Sequence, residues 1–501
     1  MQEATTHRAL VFAGLLLAMF MAAVEATIVA TAMPSIAAEL GGFAIYSWVF
    51  SSFLLMQAVT IPIFGKLADV FGRKPVFIVG ILIFLFGSAL CGIAHSMVAL
   101  IGYRFLQGLG AGAVQPIAVT LAGDLYSLEE RGRIQGYMSG LWGVSSILGP
   151  LAGGLIVNSV GWQWIFWINI PFGLAAIALV TLFLHEQVEI RQERTIDFAG
   201  GLLLLLAVSA LMLALTQIGA WDAPLVLTLI AVAITAFLFF IRQEIRAPDP
   251  LMHVELWKNG LIRYANLAAL SSGTIMIGLI SFLPTYVQGV KGGSALLGGF
   301  TLSAMTIGWP LAAFLAGARI ARLGVLRFVR GGAVALLLGT LIIAAFSGSA
   351  TLFAGIGSFV VGIGLGLVNT TTLVAIQASV RWSQRGVATA SNMLMRILGN
   401  AIGAALYGGV LNYQMQGWLR REGMDGVVSL EDIQGLLGGE GGATTGLDPN
   451  IMDALRDGLA GSLNTVFWGI ALMAGITILV AWRIPELRRD AEVGSAHLLA
   501  E

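Results

Sequence analysis

Two charged residues stand inside otherwise apolar stretches, and their side chains are the ones that could do chemistry. Glu25 follows the apolar run 10–24, and Arg104 lies within the stretch 98–122. An ionised side chain in a hydrophobic span costs on the order of several kcal/mol, so such a residue normally has a function. A carboxyl group can take up and release a proton, and a nearby guanidinium biases that equilibrium. The two residues therefore predict a proton-exchange site.

The predicted depths of the two side chains are similar. With the first span ending at Pro34, Glu25 lies about 10 Å and Arg104 about 9 Å from the same face of the membrane, at about 1.5 Å per residue. We therefore predict an ion pair in which Glu25 takes up a proton outside and releases it inside. In a second interpretation, Glu25 faces a wet cavity and shapes the binding pocket or receives a cationic substrate.

The composition defines the class of protein. Hydrophobic residues make up 57% of the 501 residues and charged residues 11%, with a mean hydropathy of +0.89, whereas soluble domains carry about 25% charged residues. This indicates an all-α protein that crosses a membrane many times. The balanced charge, 27 basic against 27 acidic residues, does not suggest a nucleic-acid partner. The sequence has no GxxxxGK[ST] loop and no His/Cys cluster with metal spacing, which predicts neither an enzyme nor a cofactor nor a metal.

Apolar windows of about 20 residues predict fourteen membrane-spanning helices. The windows cover approximately residues 10–33, 46–66, 76–95, 98–122, 136–158, 164–184, 198–217, 224–241, 264–289, 298–318, 329–347, 352–374, 389–412 and 463–482.

The distribution of Lys and Arg predicts the orientation. If the connections alternate between the two sides, 21 basic residues lie on the side of the termini, four lie on the other side, and Arg104 and Arg396 lie within spans. Such a bias places the termini in the cytoplasm, with the protein in the cell (inner) membrane. The acidic, Gly-rich connection 414–462 is then an external loop, either flexible or a specific lid or partner site.

Several motifs carry a family resemblance. Residues 65–75, GKLADVFGRKP, resemble the signature loop of the major facilitator superfamily, and residues 104–112 resemble its proton-coupling motif. Residues 140–154 resemble the motif of its exporters. Residues 22–36 and 396–405 resemble signatures of its fourteen-span drug:proton antiporters, although Glu25 stands where that family usually has Asp. The resemblance runs from about residue 10 to 482.

The resemblance implies a fold and a function. The fold would comprise a six-helix half (1–186), two inserted helices (187–250) and a second six-helix half (251–501). The function would be proton-coupled export of lipophilic, often cationic drugs or dyes by a monomer that alternates access between the two sides. Two alternatives stay open: an exporter of an endogenous lipid, fatty acid or siderophore, and a membrane receptor that transports nothing.

The resemblance also implies gating residues. Asp69, Arg73 and Asp124 would form a cytoplasmic cluster that docks the first half against a helix end of the second and holds the outward-facing state; the alternative is ordinary solvated loop charges. In the second half, residues 317–324 lack the corresponding acidic residue. Four residues of the fifth span would act as a hinge and seal or would simply pack tightly: Gly149, Pro150, Gly153 and Gly154.

The substrate cavity is expected near mid-membrane, between the two halves. Arg396, with Gly399 and Gly403, is expected to be structural or to take part in gating, although Arg396 could also contact anionic substrate groups, a lipid headgroup, Gln377 or Asn400. Polar, aromatic and Met side chains at suitable depth are the candidates for substrate binding: Trp48, Phe53, Gln57, Gln115, Trp142, Asn266, Met276, Gln288, Trp309, Asn369 and Asn392.

Overall fold

A computed structural model gives the architecture, and its regular secondary structure is helical. The structure describes residues 6–41, 48–186, 197–216, 221–247, 250, 254–293, 295–317, 319–346, 350–423 and 449–485.

The helices follow the apolar windows, because a backbone in lipid must satisfy its own hydrogen bonds. The first seven are α1 (Arg8–Leu40), α2 (Trp48–Phe71), α3 (Arg73–Cys91), α4 (Met97–Leu125), α5 (Leu128–Val160), α6 (Trp164–Trp167) and α7 (Asn169–Phe183). The next pair is α8 (Phe198–Thr216) and α9 (Ala223–Arg246). The remainder are α10 (Gly260–Thr285), α11 (Ala295–Gly317), α12 (Ile320–Leu323), α13 (Val325–Ala345), α14 (Thr351–Ser379), α15 (Arg385–Arg421) and α16 (Pro449–Trp482).

Three short segments complete the described structure. Two are 3-10 helices, Val254–Lys258 before α10 and Trp382–Gln384 before α15. The third is a π-helical turn, Tyr286–Val290, which continues α10. The helix boundaries have local causes: Ser127 and Glu130 form a capping box that starts α5. Gly72 joins α2 to α3 through a backbone conformation (φ 93°) that favours glycine.

Helix α1 corrects one prediction. We expected Pro34 to end the first helix, but α1 continues to Leu40. Prolines are tolerated inside membrane helices because neighbouring groups satisfy the freed backbone carbonyl, and α2 and α4 likewise contain Pro62 and Pro116. The extension places Glu25 about 22 Å along the helix from its end, not about 10 Å.

The connection 414–462 is helical at both ends, which corrects the prediction of a loop over its whole length. Helix α15 runs to Arg421 and α16 begins at Pro449. Met415, Leu419 and Leu455 form a small buried cluster that joins the two extensions. The acidic, Gly-rich centre of this connection, residues 424–448, lies outside the described residues.

The helices pack in two groups. In the first, α1 packs against α4, α5 and α7, and α4 packs against α2 and α3. In the second, α14 packs against α11 and α13, and α10 packs against α15 and α16. The groups meet mainly where α2 contacts α15 and where α5 contacts α11. Helix α8 packs on α9 and also on α2 and α15.

The first and last described residues lie at one end of this bundle, which we call the terminal end. The His7 backbone N–H donates to Phe183 O (3.3 Å), and Gly260 lies beside Pro485. Close backbone contacts between the groups lie here: Gly65 meets Gly386, and Gly132 meets Gly317. Farther along α5, Gly154 has open space beside it.

Twelve helices in the described part of the chain are long and apolar enough to cross a membrane. Helices α5 and α8 are not among those twelve. The prediction of fourteen spans and of two six-helix halves therefore stays a prediction.

Candidate functional site

Glu25 and Arg104 form an ion pair in the interior of the first helix group. The Arg104 Nη1 donates to Glu25 Oε1. The exposed fraction of Glu25 is 0% and that of Arg104 is 2%. Two charges removed from water in this way are tolerated when they pair with each other and their remaining polar atoms are hydrogen-bonded. The predicted proximity of the two residues is confirmed.

A set of uncharged side chains completes the hydrogen bonding of the pair. Asn169 Nδ2 on α7 donates to Glu25 Oε2 (2.6 Å) and to Ser88 Oγ (3.0 Å) on α3. Gln107 Oε1 accepts from Arg104 Nη1 (2.7 Å), and Gln107 Nε2 donates to Ser88 Oγ (3.1 Å). All three side chains are buried. The Glu25 carboxylate on α1 thus accepts hydrogen bonds from side chains of two other helices, α4 and α7.

Arg104 is held by further contacts on its other side. Its Nε donates to the backbone carbonyl of Val49 (3.1 Å) on α2. Its guanidinium carbon lies 4.1 Å from the centroid of the Phe53 ring, a cation–π geometry. Arg104 would keep these contacts if Glu25 became neutral, so the charge of one partner can change without leaving the other unsupported.

The burial of Glu25 decides between two interpretations of its surroundings. A wet cavity around Glu25 does not agree with its complete burial. The carboxyl group instead lies in a buried, hydrogen-bonded enclosure. This arrangement can hold a proton on Glu25 or release it, while direct contact with a substrate would require the surrounding helices to move.

Sequence analysis did not identify Ser88 or Asn169 as partners of Glu25. Each is a single small polar residue in an apolar stretch, and such residues are commonly spaced along membrane helices. Gln107 carried a usable signal, because it follows Arg104 by one helical turn within the quoted motif, on the same helix face.

A second charged cluster joins the helix groups at the terminal end. Asp69 of α2 accepts hydrogen bonds from the backbone N–H groups of Gly386 (3.1 Å) and Val387 (2.9 Å), the second and third residues of α15. A helix N-terminus presents free N–H groups and a partial positive charge, so it binds a carboxylate well. Asp69 is 7% exposed.

Arginine side chains extend this cluster. Arg73 pairs with Asp69 (3.4 Å) and with Asp124, and its Nη2 donates to the Trp382 carbonyl (2.7 Å). Asp124 also accepts from Arg385 Nη1 (2.9 Å), on the other helix group. The interpretation of these residues as solvated loop charges does not agree with a completely buried Arg73. We call Asp69, Arg73, Asp124 and Arg385 the terminal-end cluster.

The predicted hinge residues of α5 differ in their surroundings. Gly149 is buried, and a side-chain carbon added there would overlap Thr27 of α1. Gly153 is buried, whereas Gly154 has nothing within 4 Å of such a carbon. Pro150 lies within α5, and its side chain is outside what the structure describes. A hinge role for these residues stays a prediction.

Three predicted substrate-binding amides are engaged within the second helix group. Asn392 Nδ2 donates to Asn266 Oδ1 (3.1 Å), and Asn266 donates to Ser391. Asn369 Oδ1 accepts from Ser272 Oγ (3.0 Å). These bonds tie α10 to α14 and α15, so a substrate would have to compete for them.

Most of the other predicted substrate-binding side chains are partly exposed: Trp48, Gln57, Gln115, Trp142, Met276, Gln288 and Trp309. Phe53, in contrast, is buried. The Trp142 Nε1 is buried without a hydrogen-bond partner in the described structure. Their part in binding a substrate stays a prediction.

Gly399 and Gly403 allow α15 to approach α10 closely. A side-chain carbon on Gly399 would overlap the Leu270 carbonyl, and one on Gly403 would lie 2.9 Å from Thr274 Cα. Thr274 Oγ1 donates to the Gly399 carbonyl (3.1 Å). This packing agrees with a structural role for the two glycines. Arg396 lies on the same helix and is partly exposed.

Comparisons with known proteins agree with this architecture. The family model described as Major Facilitator Superfamily matches residues 15–404. Multidrug transporter protein MdtP of Bacillus subtilis (strain 168) is 34% identical over 81% of this chain and 76% of its own. Multidrug resistance protein 3 of the same organism is 32% identical over 93% of this chain and 92% of its own.

Solved structures show the same fold at low sequence identity. The proton:xylose symporter XylE is 12% identical, with a TM-score of 0.62 over 96% of each chain. The human organic anion transporter MFSD10 (TETRAN) is 16% identical, with a TM-score of 0.60 over 92% of this chain and 98% of its own.

The all-helical fold, the family model and the relatives define a class. The chain belongs to the major facilitator superfamily. It is an integral membrane transporter, not an enzyme.

Proposed function

We propose that this protein exports lipophilic drugs or dyes in exchange for protons. The single observation that carries the proposal is the Glu25–Arg104 pair, because it contains a titratable carboxyl group buried in the interior of a transporter. The direction of transport is supported by relatives named as multidrug transporters and by the exporter-like motif in α5.

In the proposed proton step, Glu25 alternates between two partnerships. Ionised, it pairs with Arg104 and accepts from Asn169. Protonated, it loses its attraction for Arg104, which keeps its bonds to the Gln107 side chain and the Val49 carbonyl. The loosened α1–α4 contact would favour the conformation that opens Glu25 to the other side. Proton release there restores the pair.

The terminal-end cluster is proposed as the latch of the outward-facing state. Asp69 binds the start of α15, and Asp124 binds Arg385, so both contacts cross between the helix groups. Opening the terminal end requires these bonds to break. Movement of α1 and α4 connects the latch to the proton site, since Asp124 lies on α4, the helix that carries Arg104.

We also propose fourteen spans, with two six-helix halves (residues 1–186 and 251–501) and an inserted pair (187–250). Two helices support this count beyond the twelve apolar ones: α5 has 33 residues and α8 has 19. Lys and Arg are concentrated in the connections at the terminal end of the bundle. This distribution supports the proposal that the termini are cytoplasmic and that the membrane is an inner membrane. A monomer is proposed on the resemblance alone.

The expected substrates are lipophilic and often cationic. The support is the partly exposed Trp142, Met276 and Trp309, because aromatic and Met side chains suit such molecules. Export of an endogenous lipid, fatty acid or siderophore would use the same machinery.

Dye transport in sealed vesicles tests the proposal. The purified chain is reconstituted, and ethidium accumulation is followed after an acidic lumen is imposed. We expect accumulation that stops when a protonophore collapses the gradient. Ethidium accumulation that does not depend on the pH gradient would contradict proton-coupled drug export. So would the absence of accumulation for ethidium and for neutral and anionic dyes.

A further inference from the structure

Arg396 lies in the middle of α15, and no described residue forms a hydrogen bond or an ion pair with its guanidinium. It lies on α15, about 16 Å along the helix from Arg385 at 1.5 Å per residue. The residue is partly exposed. A permanent charge at such a depth is tolerated when it faces water or a ligand of opposite charge. The Arg396 guanidinium therefore has no anionic partner among the described residues.

The position of Arg396 on its helix shows which space this is. Thr389, seven residues earlier, accepts a hydrogen bond from Gln377 Nε2 of α14 (3.2 Å). The same Gln377 atom donates to the Val119 carbonyl of α4 (3.4 Å), in the other helix group. Residues seven apart share a helix face. Arg396 thus lies on the face of α15 that looks between the groups, two turns farther from the terminal end than this bridge.

Two further polar atoms near this level lack partners. Asn400, one turn after Arg396, has a buried Oδ1 without a hydrogen bond, and so does the Trp142 Nε1 on α5. Trp142 packs against the large buried core of the first helix group, and this core extends to Met393 of α15, three residues before Arg396. A buried donor or acceptor without a partner is costly. A ligand lying between the helix groups would satisfy both atoms.

The charge balance of this region is positive. The nearest carboxylates by helix position are engaged elsewhere: Glu25 is enclosed with Arg104, and Asp69 and Asp124 belong to the terminal-end cluster. Nothing described compensates the charge of Arg396. A cationic substrate at this level would be repelled, whereas an anionic group would gain a charge-assisted hydrogen bond.

We propose that Arg396 binds the anionic group of an amphiphilic substrate in the space between the helix groups. The Trp142 indole N–H donates a second hydrogen bond to the same ligand, and Asn400 Oδ1 accepts one from a ligand donor where there is one. This inference deepens the proposed export function and rests on it. It assigns a substrate class, small lipophilic weak acids or zwitterions, in place of the often cationic compounds expected from aromatic and Met content.

Two probes of nearly equal size and opposite charge test the assignment: tetraphenylborate and tetraphenylphosphonium. Binding of each to the purified full chain in neutral detergent is measured by calorimetry, without a proton gradient. Arg396→Gln should weaken tetraphenylborate binding at least about tenfold, because the variant removes the positive charge that attracts the anion, and this attraction at close range is worth about that much or more. The same variant should leave tetraphenylphosphonium binding unchanged or tighter. Arg396→Lys should keep most of the anion preference.

Controls separate a local charge effect from a general one. Arg319→Gln removes one exposed positive charge near the terminal end and should change neither affinity. Each variant is checked for its elution volume and melting temperature. The proposal is overturned if Arg396→Gln changes both affinities equally or neither, if Arg396→Lys behaves like Arg396→Gln, or if the wild-type protein binds the two probes with equal affinity.

Two sources could supply an anionic amphiphile, a small molecule or a lipid. Repeating the tetraphenylborate titration with phosphatidylglycerol in the micelles distinguishes them. Competition that disappears in Arg396→Gln identifies a lipid headgroup as a ligand, and the absence of competition leaves the small molecule; either result agrees with an anion site. Because no gradient is used, failure here leaves proton-driven export standing, and failure of ethidium transport leaves the anion site standing.

Discussion

Two arginines inside this protein have opposite surroundings. Arg104 in the first helix group is saturated: it pairs with Glu25, donates to Gln107 and Val49, and lies over Phe53. Arg396 in the second group has no such partner in the described structure and is partly exposed. The comparison teaches that one group encloses its arginine in an ion pair with a carboxylate, whereas the other leaves a permanent charge without an anionic partner in the described structure. We infer a division of labour, with proton handling in the first group and ligand handling in the second.

Replacing each arginine should change the free energy of unfolding by different amounts. Arg104→Met leaves Glu25 buried without its cation, and breaking a buried pair costs about 3–5 kcal/mol. Arg396→Met strands no partner, so the free energy of unfolding should stay within about 1 kcal/mol of wild type. Apparent melting temperatures in detergent give the comparison. Equal losses in the two variants would mean that Arg396 has a buried partner after all.

The latch should shift the conformational equilibrium by a smaller amount. Asp69→Asn weakens two charge-assisted bonds to the start of α15, and we expect the population with an open terminal end to rise about tenfold or more. Spin labels on Arg133→Cys and Arg319→Cys report the opening as a longer distance. Asp222→Asn is a matched control, because Asp222 precedes α9 without capping it through its side chain. An unchanged distance distribution in Asp69→Asn would contradict the proposal that Asp69 latches the terminal end.

The glycines of α5 should show the smallest contrast. Gly149→Ala forces a carbon against Thr27 and should cost about 1–3 kcal/mol by overpacking. Gly154→Ala meets open space and should be neutral within about 0.5 kcal/mol. Melting temperature and dye accumulation rate measure both. A neutral Gly149→Ala would mean that α1 and α5 are not tightly packed where the pair is enclosed.

Sequence predicted the helices well and their contacts unevenly. The apolar windows predicted the positions of the long helices, because a helix that crosses lipid needs a long apolar stretch. The end of α1 was wrong, since a proline inside a membrane helix need not stop it. The Glu25–Arg104 pair was predictable because charges are rare in such spans. Asn169 and Ser88 were not, as they are small polar residues without a motif.

The terminal-end cluster shows the same limit. Asp69, Arg73 and Asp124 were identified through the family resemblance, and all three lie on one side of the contact. Arg385 and the N-terminus of α15, on the other side, depend on how the groups meet. Separations of about 260 to 320 residues along the chain cannot be inferred from local patterns.

Proton coupling through Glu25 is the central claim, and one vesicle experiment tests it most directly. Gradient-driven accumulation and gradient-free exchange of the same dye are compared in wild type, Glu25→Gln and the surface control Glu255→Gln, whose carboxylate is exposed. Glu25→Gln should lose gradient-driven accumulation, because it cannot carry a proton, and should keep exchange. Accumulation near the wild-type level in Glu25→Gln, under the same pH gradient, would contradict the claim.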